Sequence, residues 1–597
     1  MDTINTFAER KEAFQKAYVA HNKRYNSIAA LRVAVFVITI ILIVVFANLR
    51  EGLAIGLTLL VFPFAFGLIV NRHNRISSLR DLAKYSALIN DHEILRLQHN
   101  FSSLDSGEDF KNKKHPYLND LDIFGRNSIF QLISRAVTPS GRAVLAQWLS
   151  FPASKSEIIS RQESVAELAP MIDWRQEFQA SGMRQSDDST DIDSLLSWIN
   201  EPNRVLHNKK YRVLAVVLPV LTIASILLNI FADVSMYFTA GLLLVNGVVI
   251  KQFATYVENI TEKTYDSIKA LKSYGKMIKH IETADFKSEQ LKELQQVFVR
   301  ENRQASASII QLQKILDYLQ GRSNMFYLLF NFGLLFDLQL VLKAEKWKRD
   351  QKADITQWFD HIGKIEAINS LAGFAYANPS YAKPEIADND YIFATQDMGH
   401  PLIPPQERIA NTIDMREKGT INIITGSNMS GKSTFLRTVG VNIVLALAGS
   451  HVCASDLTVS KMQVFTSMRT EDNLEEHVSS FYAELKRIRM LLDLLEANEL
   501  PVLFMLDEIL KGTNSKDRHA GASALIKQVS TADAMGFVST HDLELGQLSD
   551  QLSNLNNYSF NSIVEGDEII FNYSLEKGIC HSFNASKLME KIGIDMS

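Results

Sequence analysis

The chain has 597 residues, 46% of them hydrophobic and 22% charged, with 62 basic against 67 acidic side chains and a formal net charge of −5. That length carries several domains and that apolar content rules out a disordered chain. The acidic balance argues against coating nucleic acid by bulk charge, while leaving room for a local basic stripe. Cys453 and Cys580 are the only cysteines, which excludes a disulfide framework and a zinc cluster and fits a reduced, cytosol-facing body.

From the N-terminus, residues 31–49 (LRVAVFVITIILIVVFANL) and 53–70 (LAIGLTLLVFPFAFGLIV) are apolar runs joined by Arg50, Glu51 and Gly52. Residues 213–231 and 234–250 form a second such pair, joined by Ala232 and Asp233. Each run approaches the roughly 20 residues that cross a bilayer core. Two pairs with almost no internal charge predict two transmembrane helical hairpins rather than buried core helices. The first run is no signal peptide, since about 30 mostly polar residues precede it and no small-residue cleavage site follows. Arg10, Lys11, Lys16, Lys23 and Arg24 precede the first pair, and Arg72, Arg75, Arg80 and Lys84 follow it; Lys209, Lys210 and Arg212 precede the second, and Lys251 follows. Positive flanks stay on the cytoplasmic side. The expectation is a multi-pass protein of the cell (inner) membrane with all other segments inside.

The predicted organisation has three parts: an N-terminal region, residues 1–104, with the first hairpin and a helical exit; a mostly helical region, residues 117–380, interrupted by the second hairpin; and an α/β domain, residues 381–597. Residues 105–116 read as a polar linker. Periodic stretches over 260–319 predict helices of many turns. Residues 323–342 are apolar but carry Asn324, Asn331, Asp337 and Gln339. They are expected to form a buried helix of the soluble body, because Asp337 would be costly in lipid. Lys269, Lys272, Lys276 and Lys279 share one helical face; the alternatives are a solvated face, attraction to anionic lipid and contact with DNA phosphates. After a turn-rich boundary at 378–389, short apolar strands (421–425, 501–506, 536–539) alternate with helices (435–447, 520–529).

The 421–425 strand runs into Gly426, Ser427, Asn428, Met429, Ser430, Gly431, Lys432, Ser433 and Thr434, then a helix. This is the GxxxxGK[ST] pattern in its required context. The glycines let backbone N–H groups turn around phosphate oxygens, Lys432 reaches the β- and γ-phosphates of ATP, and the Ser433 hydroxyl ligates Mg²⁺. The 501–506 strand ends in Asp507 and Glu508. Asp507 is placed to hold the Mg²⁺ shell and Glu508 to polarise the attacking water as general base. A further strand ends near His541, placed to contact the γ-phosphate.

The stretch from Thr425 to Arg437, with its Asn-Met pair, resembles the P-loop of the MutS family within the ABC-type ATPases. Ser479, Ser480 and Phe481 through Leu485 resemble that family's signature loop. Asp507 through Asp517 resembles its acidic strand end and following loop, and Ser539 through Leu545 its histidine switch. Thr138 through Leu149 and Arg161 through Leu168 are similar to its helical core and lever. The resemblance covers roughly 117–210 and 255–590. It implies a homodimer in which Ser479 and Ser480 approach the partner's γ-phosphate. ATP would draw two heads together, with the motion travelling through helical levers. It places Arg408 and Ile409 at the adenine, where the family tends to have an aromatic; an arginine can stack by its guanidinium face. There are departures: no mismatch-reading domain precedes the core, the second hairpin interrupts it, little room is left for a DNA clamp between Val257 and Leu342, and Ser430 stands where a glycine is common. The chain also stops at Ser597, before the dimerising tail typical of the family.

Three readings of function follow. The first is a membrane-anchored, dimeric ATPase that moves its helical body, its hairpins or an unknown protein partner. The second is a protein that binds mismatched or branched DNA in repair. The third is a membrane scaffold whose assembly ATP controls. A transporter fits less well, because no charged residue inside the apolar runs marks a path.

Overall fold

The computed structural model describes residues 3–183, 192–300, 303–323, 325–469, 480–565 and 568–581. A mostly helical N-terminal region precedes an α/β domain, as the sequence leads one to expect.

The first hairpin is two 46-residue helices, Thr3–Asn48 and Gly52–Leu97, each about 69 Å long at 1.5 Å per residue. They turn at Arg50, whose φ is 56°. Their apolar halves are almost uncovered by protein: Leu53 is 80% and Phe64 79% exposed. Their polar halves dock on the body. Phe7 is buried, edge-on to Tyr376. Arg10 pairs with Asp173 at 2.7 Å and Lys11 with Asp91 at 2.6 Å. Deeper in, Glu93 takes Arg96 at 3.0 Å and Arg135 at 2.7 Å, all three buried. Arg96 also donates to the carbonyls of Gln131 and Ser134.

The second hairpin is Lys209–Ala232 and Met236–Thr264. A polar seam joins its helices: buried Asn246 donates to Thr222 Oγ1 at 3.1 Å and to the Phe332 carbonyl at 2.7 Å. That carbonyl belongs to Met325–Leu334, part of the 323–342 run. Instead of one buried helix, that run is two helices bent by 83°, with Leu335 at φ 50° between them. The first half lays Leu329 (66% exposed) and Phe330 (57%) outward beside the hairpin. Asp337 opens the second half and is buried as expected. It accepts from Tyr327 and from Asn331 Nδ2 at 2.9 Å, and it meets Arg322 at 3.1 Å. A buried carboxylate is tolerable only with such partners.

The second half continues as Phe336–Ala377, 42 residues and about 63 Å, reaching from the hairpin to the α/β domain. Buried Glu345 on this helix accepts backbone N–H groups of Arg204, Val205 and Leu206 and the Tyr256 hydroxyl, so it fixes the entry to the second hairpin. Near the far end, Glu366 accepts the N–H groups of Val137 and Thr138.

The 260–319 stretch is shorter helices, Ser267–Glu282, Glu289–Gln296 and Ala305–Gln320, rather than long continuous ones, with a two-residue strand pair before the last. The lysine stripe is the outer face of Ser267–Glu282: Lys269, Lys272 and Lys279 are exposed, and Lys276 reaches Ser78 Oγ at 2.5 Å.

Residues 105–116, expected as a linker, begin a docked strap. Asp105 takes Arg142 at 2.6 Å, and the Pro116 carbonyl accepts from Thr466 and Arg487 of the α/β domain. Asp120 then accepts the N–H groups of Met468 and Arg469, and Asp122 binds Arg469 through both of its oxygens.

The α/β domain is built on a six-stranded sheet: β1 Ile421–Gly426, β2 Gln463–Ser467, β3 Val502–Asp507, β4 Ala534–Thr540, β5 Leu555–Glu565 and β6 Glu568–Lys577. The spatial order is β6-β5-β1-β4-β3-β2, parallel except for the β5–β6 pair. β1, β3 and β4 are buried along their whole length, which explains their unbroken apolar runs. β1 lies between β4 and β5, both later in the chain. The connection that leaves β1 runs past β4 and β3 to β2, and the one that leaves β4 runs back across β1 to β5, so the site forms at the C-terminal edge where these directions part.

Candidate nucleotide site

At that edge, β1 delivers the loop from Gly426 into the helix Lys432–Ala448. Gly431 turns at φ 104°, open to glycine at little cost. A side chain at Gly426 would come within 2.8 Å of the Phe560 carbonyl and Ser430 Oγ. The helix N-terminus supplies unpaired N–H groups and a partial positive charge facing the loop.

Lys432 is buried and folded back on its own loop, donating to the carbonyls of Gly426 at 2.9 Å and Ser427 at 2.8 Å. Burial lowers its pKa, against the pull of the Glu508 and Asp507 carboxylates. Ser433 Oγ donates to Asp507 Oδ2 at 2.5 Å, and Ser539 binds the other oxygen. A hydroxyl and a carboxylate converging in this way are the hard oxygen donors that Mg²⁺ prefers. The next residue, Glu508, leaves the strand at φ 50°. Its Oε1 lies 2.5 Å from His541 Nε2 and its Oε2 2.9 Å from Lys511 Nζ. The His541 bond, opposed by partial burial and helped by Lys511, holds the Glu508 carboxyl down to about 2. The other His541 nitrogen, Nδ1, faces the Gly426 carbonyl at 2.9 Å. The phosphate loop, the acidic strand end and the histidine, far apart in sequence, thus meet in one network.

A cavity of about 530 Å³ opens beside the loop, lined by Asn428 through Thr434, Glu508, His400, Ile409, Asn411 and Tyr573. Of the two residues expected at the adenine, Ile409 lines this cavity, while the Arg408 guanidinium bonds the Ile403 carbonyl at 2.6 and 3.1 Å and lies 5.6 Å from the Tyr381 ring. Sequence reasoning missed Tyr573, which β6 brings against Gly431 and which Asn411 fixes by bonding its carbonyl at 3.1 Å. No local pattern marks that tyrosine; only the register of the β5–β6 hairpin places it. Ser479 lies outside the described residues, and Ser480 opens the helix Ser480–Ala497. From that helix, Glu484 accepts the N–H groups of Leu510 and Lys511.

Residues 422–594 match the family description MutS domain V, an ATPase domain. Over 227 residues the chain is 35% identical to the DNA mismatch repair protein MutS of Finegoldia magna, covering 37% of this chain and 26% of that protein. It is 32% identical over 252 residues to the protein of the same name from Shouchella clausii, covering 41% and 28%. It is 30% identical over 250 residues to MutS protein homolog 4 of Mus musculus, covering 39% and 26%. The chain thus spans about a quarter of the length of the curated relatives it matches. The C-terminal part is a MutS-type ATPase domain, and the likeness extends over some 40% of the chain.

Proposed function

We propose that the chain is a membrane-anchored ATPase that hydrolyses ATP between two copies of itself and uses their closure to move its helical body. One observation carries this reading: a single 42-residue helix runs from the second of two largely uncovered apolar hairpins to the ATPase domain. In this reading residues 1–104 anchor, 117–380 form the core and lever, and 381–597 are the ATPase domain. The N–H groups from Gly426 to Thr434 and the Lys432 ammonium bind the phosphates of ATP. Ser433 and Asp507 would hold Mg²⁺, which when bound neutralises phosphate charge. Glu508 takes a proton from the attacking water, His541 senses the γ-phosphate, and Ser479 and Ser480 approach the partner's nucleotide. Ile409 and Tyr573 flank the base.

The membrane part rests on length and composition. Among the described residues four helices are long and apolar enough to cross a bilayer, and their apolar faces are largely exposed. Water does not leave such a surface uncovered at low cost. The basic flanks favour the inner membrane with the ATPase domain in the cytoplasm. An alkaline carbonate wash of membranes should leave the chain in the pellet, with detergent releasing it. Release by carbonate alone would contradict the anchor.

A second reading is favoured by the relatives, two of which carry the name DNA mismatch repair protein. In it, this chain would bind mismatched or branched DNA.

A further inference from the structure

We propose that Lys511 is a positioning residue that restrains Glu508 in a subunit without its partner, and that movement of the helix opening at Ser480 releases it. This rests on the reading of Glu508 as general base.

Both oxygens of the Glu508 carboxylate are engaged, one by His541 at 2.5 Å and the other by Lys511 at 2.9 Å. A base needs an oxygen within hydrogen-bond reach of the water it activates. The His541 ring is also held to the phosphate loop, where its other nitrogen faces the Gly426 carbonyl. Lys511 and His541 both line a second cavity, about 640 Å³, that adjoins Glu508 and is lined by Lys516 and Arg518 among others. Glu508 is the one described residue common to its lining and that of the nucleotide cavity. Lys511 therefore holds the carboxylate from outside the space that ATP would occupy.

The backbone of Lys511 is tied to the segment expected to meet the partner. Glu484 accepts the N–H of Leu510 and, at 3.1 Å, that of Lys511. One residue further on, a Cβ at Gly512 would lie 2.6 Å from Phe481 Cβ, so the loop rests directly on the first turn of the Ser480–Ala497 helix. A shift of that turn pulls on the loop that carries Lys511. Seating the segment on a partner's nucleotide would thus free the Glu508 oxygen in the same movement that completes the opposite site.

Lys511 is about half exposed, and pairs so placed are weak, so its removal should raise turnover by about two- to five-fold rather than by orders of magnitude. The experiment is steady-state ATP hydrolysis by the full chain in detergent, comparing Lys511→Met, Lys511→Arg, Glu508→Gln and the double variant Glu508→Gln/Lys511→Met. The expected result is a higher kcat for Lys511→Met with KM for ATP unchanged, wild-type behaviour for Lys511→Arg, and negligible turnover in both chains carrying Glu508→Gln. A Lys511→Met kcat equal to or below wild type, with Glu508→Gln still inactive, overturns the restraint and leaves the base assignment standing. Retained turnover in Glu508→Gln overturns the base assignment, and the restraint with it.

Discussion

Glu508→Gln should bind ATP as the wild type does and hydrolyse it about 10²–10⁴-fold more slowly, the usual contribution of a positioned general base. The amide keeps the size of the side chain and an oxygen able to accept from His541 or Lys511, so the network holds its shape. What it loses is the capacity to take a proton from water. The groups that would bind nucleotide are separate: Lys432 rests on the carbonyls of Gly426 and Ser427, and Ser433 on Asp507. Binding measured by a fluorescent ATP analogue and hydrolysis measured by phosphate release should therefore part company in this variant. A parallel loss of both would mean that Glu508 shapes the loop rather than the chemistry.

Glu93→Ala should destabilise the fold by about 3–5 kcal/mol, the cost of breaking a buried ion pair from one side. Removing the carboxylate leaves Arg96 and Arg135 buried in each other's company, with Arg175 nearby. This cluster joins the polar half of the first hairpin to the body, so its loss should also loosen that hairpin. Burial alone would raise the Glu93 carboxyl; the Arg135 and Arg96 guanidiniums more than offset that, and its pKa lies below the ordinary carboxylate value. A lowered folded-state pKa gives stability that is complete above the unfolded value and is lost as pH falls through the folded one. Thermal melts in detergent should show the wild type losing stability toward acid over that window, and Glu93→Ala starting low and losing less. Equal melting of the two proteins at neutral pH would remove the cluster from the account.

The features legible in the sequence are those written in consecutive residues. The apolar runs announce the hairpins because each is a nearly unbroken stretch of about 20 apolar residues, the length of a spanning helix. β1 and β3 are legible because strands buried on both faces read as unbroken apolar runs, and each hands its chemistry to the residues directly after it. What escaped depends on contacts distant in the chain. Tyr573 reaches the P-loop only through the β5–β6 hairpin; Lys511, though only three residues from Glu508, meets it because the intervening turn curls back. Ile409 lines the cavity, whereas the neighbouring Arg408 turns toward Tyr381, an arrangement that only the fold supplies. Residues 105–116 have the composition of a linker, yet much of their docking uses the Pro116 carbonyl, which composition does not encode. The bend falls at Leu335, two residues after Gly333, and Asp337, bonded to Tyr327 and Asn331 across the break, holds it.

In the function proposed above, ATP turnover serves movement of a membrane-anchored body rather than the reading of DNA. The most direct test is ATP hydrolysis by the full chain purified in detergent, without DNA and with homoduplex, mismatched or branched DNA. The account predicts a turnover that depends on Glu508 and is the same in all four conditions. Stimulation by mismatched or branched DNA over homoduplex would contradict it and make DNA the substrate that the ATPase serves.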